Sequence, residues 1–501
     1  ITKANYDADG LLKFTQDADH TAPNGQPLCT ACTDPSQYRT IYHYDSFNRL
    51  AAVSQPKSTS LELGKLIWTD TVYDANDNVV AQVDPYYGSG DGKAGDINRK
   101  AGDTTTTTYD VMDRPILTTG PDTSADPQGE RTQYHYDDAG RLDQEVTPVG
   151  YQSGVRAPAS TSPGTINFTY DTLDRQLTQT SYHKDASGVV HPLTTYNCYD
   201  NVGNLTSVTQ PDANLSSLSC PAVQGTTPFT SFYTYDAAHR QLTSTDGDGH
   251  ATSYKYDDDG NQTQVTNPKG ITSINTYDQL NRLVRTDQPF ISNSSPNTCP
   301  PAPGDRCVTT EVQYDKAGNK VADISPRAYD ASPDKQTFNN YVTRYHYDKD
   351  NRLVQTDLPV DGTYSAPHYV LQTYDPNGFE TAISKPVTNT DPAQLTSNQE
   401  TTMRYFDTGW IYTSQDPGIP AVHFDYTAKG EQMFRAPENG EGVVDTKNQM
   451  SWDYYPDGQV KDRFDNQHQP IAYSYNADDV LTSAYNGAGL TDMMQRGPIN
   501  T

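Results

Sequence analysis

The sequence predicts an all-β chain in which tandem β-hairpins lie side by side and form one long, coiled sheet. Three observations carry this. A short phrase built on Tyr-Asp recurs through all 501 residues. The fourth residue after its Tyr is always of a type that tolerates left-handed backbone. The composition joins low hydrophobicity, 33%, to 36 Tyr, and Tyr and Thr both favour strands. Low hydrophobicity alone would suggest disorder. Tyr opposes that, because its ring is apolar and its tip polar. The expectation is a folded chain with a thin core.

The phrase is clearest at YKYDDDGNQTQVTNPKG, from Tyr254. It is preceded by YTYDAAHRQLTSTDGDG and followed by INTYDQLNRLVRTDQPF, at a spacing of 21 residues. Its Tyr falls at Tyr6, Tyr44, Tyr73, Tyr109, Tyr136, Tyr170, Tyr199, Tyr235, Tyr256, Tyr277, Tyr314, Tyr347 and Tyr374, each followed by Asp. Looser copies stand at Tyr405, Tyr426, Tyr454 and Tyr475. Every longer interval is 21 plus an insertion, which marks a repeat architecture.

Each position has a physical reading. The fourth residue after the Tyr is Gly in nine copies, and Asn, Asp or His in the other eight. Asp directly after the Tyr suits the first place of a type I turn. A type I turn followed by a left-handed residue is a three-residue hairpin loop with a bulge. The structural positions of the unit are therefore Tyr44-Asp45, Tyr136-Asp137 with Gly140, Tyr199-Asp200 with Gly203, Tyr256-Asp257 with Gly260, Tyr277-Asp278, Tyr314-Asp315 with Gly318, and Tyr347-Asp348. In this register each Tyr faces the residue six further on, which is apolar in ten copies, among them Leu50, Leu142, Leu205, Leu283 and Leu353. Nine copies place another aromatic two residues before the Tyr, and eleven place Pro twelve after it. That Pro ends the second strand and turns the chain toward the next hairpin.

Seventeen hairpins make about 34 strands, and at ~4.8 Å per strand the sheet would run roughly 160 Å. Open sheets seldom exceed about 10 strands without curling, and strand twist has a fixed hand. A sheet this long should coil. No convincing helix pattern is found. Inserts near 18–39, 85–105, 149–166, 211–231, 289–310, 326–341 and 386–401 are rich in Pro, Gly, Ser, Thr and Asp and are read as surface loops. The phrase resumes after each, so residues 1–501 read as one continuous array.

The formal charge of −28 disfavours nucleic acid and anionic membranes as partners, and no run of 18 apolar residues exists. The chain opens ITKANYDADG, in mid-phrase and with no basic-then-apolar leader. It is read as a piece of a longer chain. The six cysteines are Cys29, Cys32, Cys198, Cys220, Cys299 and Cys307. The Cys29/Cys32 and Cys299/Cys307 pairs lie in loop-like stretches and fit disulfides of an exported protein. Free thiols, a zinc site and a redox pair are the alternatives. Zinc wants four ligands and only His20 is near the first pair; a redox CxxC wants a helix in a βαβ unit.

The phrase Tyr-Asp-x-x-Gly-Asn/Arg-Leu, with a later Thr-x-Pro, resembles the YD-repeat or RHS-repeat family. YDNVGNLTSVTQPD from Tyr199, YDDAGRLDQEVTP from Tyr136 and YDQLNRLVRTDQP from Tyr277 carry the resemblance. It implies a spiral of hairpins that can close as a hollow shell. In RHS toxins and in the B/C components of insecticidal toxin complexes such shells enclose a toxin, and teneurins use a similar shell in adhesion. The junction that usually follows the repeats in RHS toxins is not seen in the closing YNGAGLTDMMQRGPINT. Neither self-cleavage nor a particular toxin is assigned.

No catalytic set, cofactor motif or metal motif stands out. His43, His135 and His346 each precede a repeat Tyr, and His239 takes a turn position, so the repeat accounts for them. Asp246-Gly-Asp248-Gly-His250 and the Asp84 to Asp96 insert could attract calcium, yet lack the EF-hand spacing. Exposed Tyr rows could stack on sugars, and packing on the next strand explains them equally. The expected function is a non-enzymatic scaffold, secreted or at the cell surface, that encloses or presents a cargo polypeptide such as a toxin. The alternatives are an extracellular adhesion or fibre protein that binds a surface partner, with carbohydrate binding included, and, least favoured, a carbohydrate-active enzyme. Self-assembly is compatible with each.

Overall fold

The computed structural model describes residues 3–16, 39–56, 66–88, 103–122, 129–158, 161–211, 220, 229–289, 307–330, 338–360, 367–388, 390–395, 399–439, 443–467, 469–476, 479–486 and 491–492. The chain forms two compact units. One comprises Ile1–Thr165, Thr373–Ile383 and Thr396–Thr501; the other comprises Ile166–Gln372 and Ser384–Leu395.

Both units are built of antiparallel strands that pair in chain order. In the first unit, strands from Lys3–Tyr6 to Leu142–Val146 pair each with the next. The strands from Glu400–Tyr405 to Thr491–Asp492 do the same. In the second unit an unbroken series links Ile166 in its first strand to the strand beginning at His368. The molecule is the all-β array of tandem hairpins that the sequence predicts.

The register follows the turn. Tyr44 faces Leu50, Tyr199 faces Leu205 and Tyr277 faces Leu283, with a bulge beside each Tyr. The same six-residue offset holds where the partner is polar, as in Tyr170–Gln176, Tyr256–Gln262 and Tyr314–Lys320. Turn geometry therefore sets the pairing, and the apolar contact adds to it.

The buried face is narrow and made of small side chains. Ala52 and Ser54, Ser207 and Thr209, Ala322 and Ile324, and Ala382 and Ser384 occupy the same two places in the second strands of four hairpins, and all are buried. Threonine pairs cross this face: Thr209 with Thr230 at 3.0 Å, Thr234 with Thr243 at 2.6 Å, and Thr266 with Thr272 at 2.8 Å. Such pairs add to strand pairing and satisfy hydroxyls that burial would otherwise strand. A larger cluster gathers Ala52, Leu66, Trp68, Val83 and Tyr86.

Two expectations are corrected. First, short helices exist: Pro148–Gln152 and Pro326–Asp330 each make one turn. Pro opens both, as suits a first helical position where no N–H is needed. Thr147 caps the former, its hydroxyl accepting from the Gly150 N–H at 3.5 Å. Second, two of the inserts are not surface loops throughout. Ala328 is fully buried against Ala322, Ile324 and Val342. Tyr86 is buried on a strand, Val79–Gly88, that runs into the 85–105 insert. The 149–166 insert lies mostly at the surface, as expected, with Gly150 buried within it. A Cβ on Gly150 would sit 2.3 Å from the Gly164 carbonyl oxygen, so only glycine fits there.

Candidate functional site: the turn ladder

The repeat Asp closes its own turn. In the Tyr235 hairpin, Asp236 Oδ1 accepts from the N–H groups of Ala238 at 2.8 Å and Arg240 at 3.0 Å, and Oδ2 takes Arg240 Nε at 2.7 Å. Asp45, Asp137, Asp278 and Asp348 repeat the pattern with Arg49, Arg141, Arg282 and Arg352. Asp200, Asp257 and Asp315 hold Asn204, Asn261 and Asn319 instead. The side-chain bonds from Arg282 and Asn261 hold the Asp278 and Asp257 carboxyls below the usual carboxylate range. Backbone N–H donation from Arg141 leads the same effect at Asp137.

The fourth position after the Tyr has positive φ in every copy. Gly140, Gly203, Gly260 and Gly318 lie between +84° and +98°, whereas Asn48, His239, Asn281 and Asn351 lie between +60° and +64° or just below, Asn281 at +59°. The non-glycine residues sit in the left-handed well that Asn and Asp tolerate.

Each unit is then tied to its neighbours. The Tyr hydroxyl donates to the carbonyl of the residue that faces the preceding Tyr: Tyr44 to Leu12 at 3.1 Å, Tyr136 to Pro115 at 2.9 Å, Tyr199 to Gln176 at 2.9 Å, Tyr256 to Gln241 at 2.8 Å and Tyr277 to Gln262 at 3.0 Å. Tyr314 and Tyr347 reach Leu283 and Lys320 in the same way. The arginines reach forward. Arg49, Arg175 and Arg240 donate to the carbonyls of Asp74, Asp200 and Asp257 at 2.7–2.8 Å. Their guanidinium carbons lie 4.7–4.9 Å from the ring centroids of Tyr73, Tyr199 and Tyr256. In the first unit Phe379 and Trp410 take the arginine's place, over Tyr405 and Tyr426. Where Arg, Phe or Trp stands in this place, the next repeat Tyr ring is covered by the preceding unit, so those rings are not free platforms for sugars.

The forward-reaching Arg was missed as a contact residue in the sequence. Its signal was present, since Arg or Asn follows the left-handed residue in eleven copies.

In the first unit a cavity of about 460 Å³ is lined by Tyr86, Met433, Trp452, Tyr454 and Lys429 among others. Lys429 Nζ lies 2.8 Å from Asp84 and 3.9 Å from Asp103, and it donates to the Pro456 carbonyl. It pins hairpins far apart in sequence and is fully engaged in doing so. Of the cysteines, Cys198 and Cys220 are disulfide-bonded. Cys29, Cys32 and Cys299, and the side chain of Cys307, lie outside the described residues.

The histidines singled out in the sequence make contacts within turns and strand pairs. His43 Nε2 lies 3.4 Å from Ser54 Oγ, but Ser54 is buried and Asp70 accepts from the Tyr86 hydroxyl. His135 pairs with Asp143 and His346 with Asp357 on the neighbouring strand. His239 bonds Asn204. Asp246 closes a turn with His250 and Gly249. Among the described residues no group of His, Cys, Asp and Glu is placed to hold a metal ion. Among them, too, no helix is long and apolar enough to cross a membrane.

Residues 235–272, which hold the Tyr235 and Tyr256 hairpins, match the profile of the RHS Repeat family. This segment is an RHS repeat. The other hairpins share its left-handed turn position and, where paired, its six-residue register. A comparison with curated proteins finds no match. Among solved structures, the chain resembles "Crystal Structure of TcdB2-TccC3-TEV", with a TM-score of 0.65 at 14% identity over 91% of this chain and 22% of that one. "Crystal Structure of TcdB2-TccC3 without hypervariable C-terminal region" gives 0.64 at 14% identity, over 91% and 22%. At such identity the likeness is one of fold. This chain spans about a fifth of the length of those structures, 22%.

Proposed function

We propose that this chain is a non-enzymatic scaffold, a segment of an RHS-repeat wall that encloses or presents a polypeptide cargo outside the cell. The observation that carries the reading is the ladder. In hairpin after hairpin the Tyr hydroxyl donates to the hairpin before it, and Arg49, Arg114, Arg175, Arg240 and Arg282 cover the ring of the hairpin after theirs. Such units are stable only as an array, and what an array of hairpins makes is a surface. The side chains that other folds use for catalysis are spent here on turns and strand pairs. The fold is shared with the TcdB2-TccC3 structures. The disulfide fits an oxidising compartment.

Protease protection tests the proposal. The natural full-length protein is digested under native conditions, and again after the wall is unfolded in denaturant. Enclosure predicts a segment outside the repeat array that survives the first digestion and is cut in the second. If every segment outside the array is cut at once in the native digest, the wall contains nothing and the adhesion or fibre reading takes its place.

A further inference from the structure

The covering position over the repeat Tyr is filled by a planar group in unit after unit, but not where Asn replaces Arg. Arg49, Arg114, Arg175, Arg240 and Arg282 place a guanidinium 4.4–4.9 Å from the ring centroid of the next repeat Tyr. Phe379 and Trp410 set rings 5.1 and 5.4 Å from theirs. Asn261 is too short to do this. Its amide bonds Asp257 Oδ2 at 3.0 Å and Asn281 Oδ1 at 2.9 Å, down in the turns, and leaves the space above Tyr277 open. A cavity of about 370 Å³ stands there, lined by Asp257, Asp259, Asn261, Tyr277, Asp278 and Asn281 among others. It presents what Arg240 meets one unit earlier: an Asp carboxylate behind, a repeat Asp carbonyl ahead, and a Tyr face beneath. The Tyr277 hydroxyl donates to the Gln262 carbonyl at 3.0 Å, away from this notch's carboxylates.

We infer that this notch is a docking site for a guanidinium group, supplied by an arginine side chain of a partner polypeptide. The protein itself is the template, since neighbouring units bind the same group intramolecularly. A planar, weakly hydrated cation suits a ring face and a carbonyl together. A lysine ammonium would meet the charge but not the fork. The net charge of −28 favours approach of such a partner.

The test uses a Gly-Arg-Gly peptide carrying a photoreactive diazirine, with tryptic mapping of the label on the whole chain. The expected result is labelling of the Gly270–Arg282 peptide, competed by arginine amide and not by citrulline amide. Asn261→Arg fills the notch from within and should cut that labelling roughly tenfold, by removing a cation–π contact and charged hydrogen bonds. Arg is the residue that sister units already carry, so this variant folds, and an unchanged or raised melting temperature confirms it. Equal labelling in Asn261→Arg, equal competition by citrulline amide, or no label on Gly270–Arg282 overturns the inference.

Discussion

At Gly260 the backbone sits at φ +90°, and an added Cβ would touch nothing within 4 Å. A side chain there is penalised by conformation alone. Gly260→Val should therefore cost about 1–3 kcal/mol. Asp258→Val, two residues earlier and exposed, should stay within about 0.5 kcal/mol. Equal losses in chemical denaturation would mean that the turn is misassigned. Tyr256→Phe removes a 2.8 Å bond to the Gln241 carbonyl while keeping the ring under Arg240. A loss near 1 kcal/mol is expected, and no loss would show that water replaces the hydroxyl. The residue scale was the most legible in the sequence. A position that only ever holds Gly, Asn, Asp or His speaks of left-handed backbone, and Asp before it speaks of a side chain that closes a turn.

At the scale of the hairpin, the tie between units is the feature to test. Arg240 clasps Asp236, donates to the Asp257 carbonyl at 2.8 Å and covers Tyr256. Arg240→Lys keeps the charge but loses the planar fork. It should lower the melting temperature nearly as much as Arg240→Gln, and full rescue by Lys would mean that charge alone matters. This link was hidden in the sequence because the partner of each Arg lies in the next unit, across inserts of variable length: Arg240 reaches 17 residues on and Arg282 reaches 33. The inserts were also only partly legible. Pro, Ser and Thr in 326–341 suggested a loop, while Ala328 and Tyr329 pack against the sheet. A single turn of helix is too short to show a period.

For the molecule as a whole, the repeated Asp turns make acid stability a collective property. The side-chain bonds from Arg114, Arg282 and Asn261 lower the carboxyl pKa of Asp110, Asp278 and Asp257 in the folded state. Lowered folded values mean that the stabilisation is complete above the ordinary Asp pKa, about 4, and is lost as pH falls through the folded values. Far-UV circular dichroism should stay flat from neutral pH to about 5 and collapse below about 4. A loss centred near pH 6 would point to histidines instead. The Cys198–Cys220 bridge spans 22 residues, and Cys220→Ser should cost about 3 kcal/mol through loop entropy. A non-reducing digest should contain that linked pair, and free thiols at both positions would remove the support it gives to export. The two compact units of the chain were not legible in the sequence, because the phrase runs through both without a linker. The central claim, that the repeat builds a wall around cargo, is tested most directly by cryo-electron microscopy of the native, untrimmed particle. The account predicts a continuous β wall surrounding density that the wall's own residues do not explain. An open or filamentous sheet with nothing enclosed would contradict it.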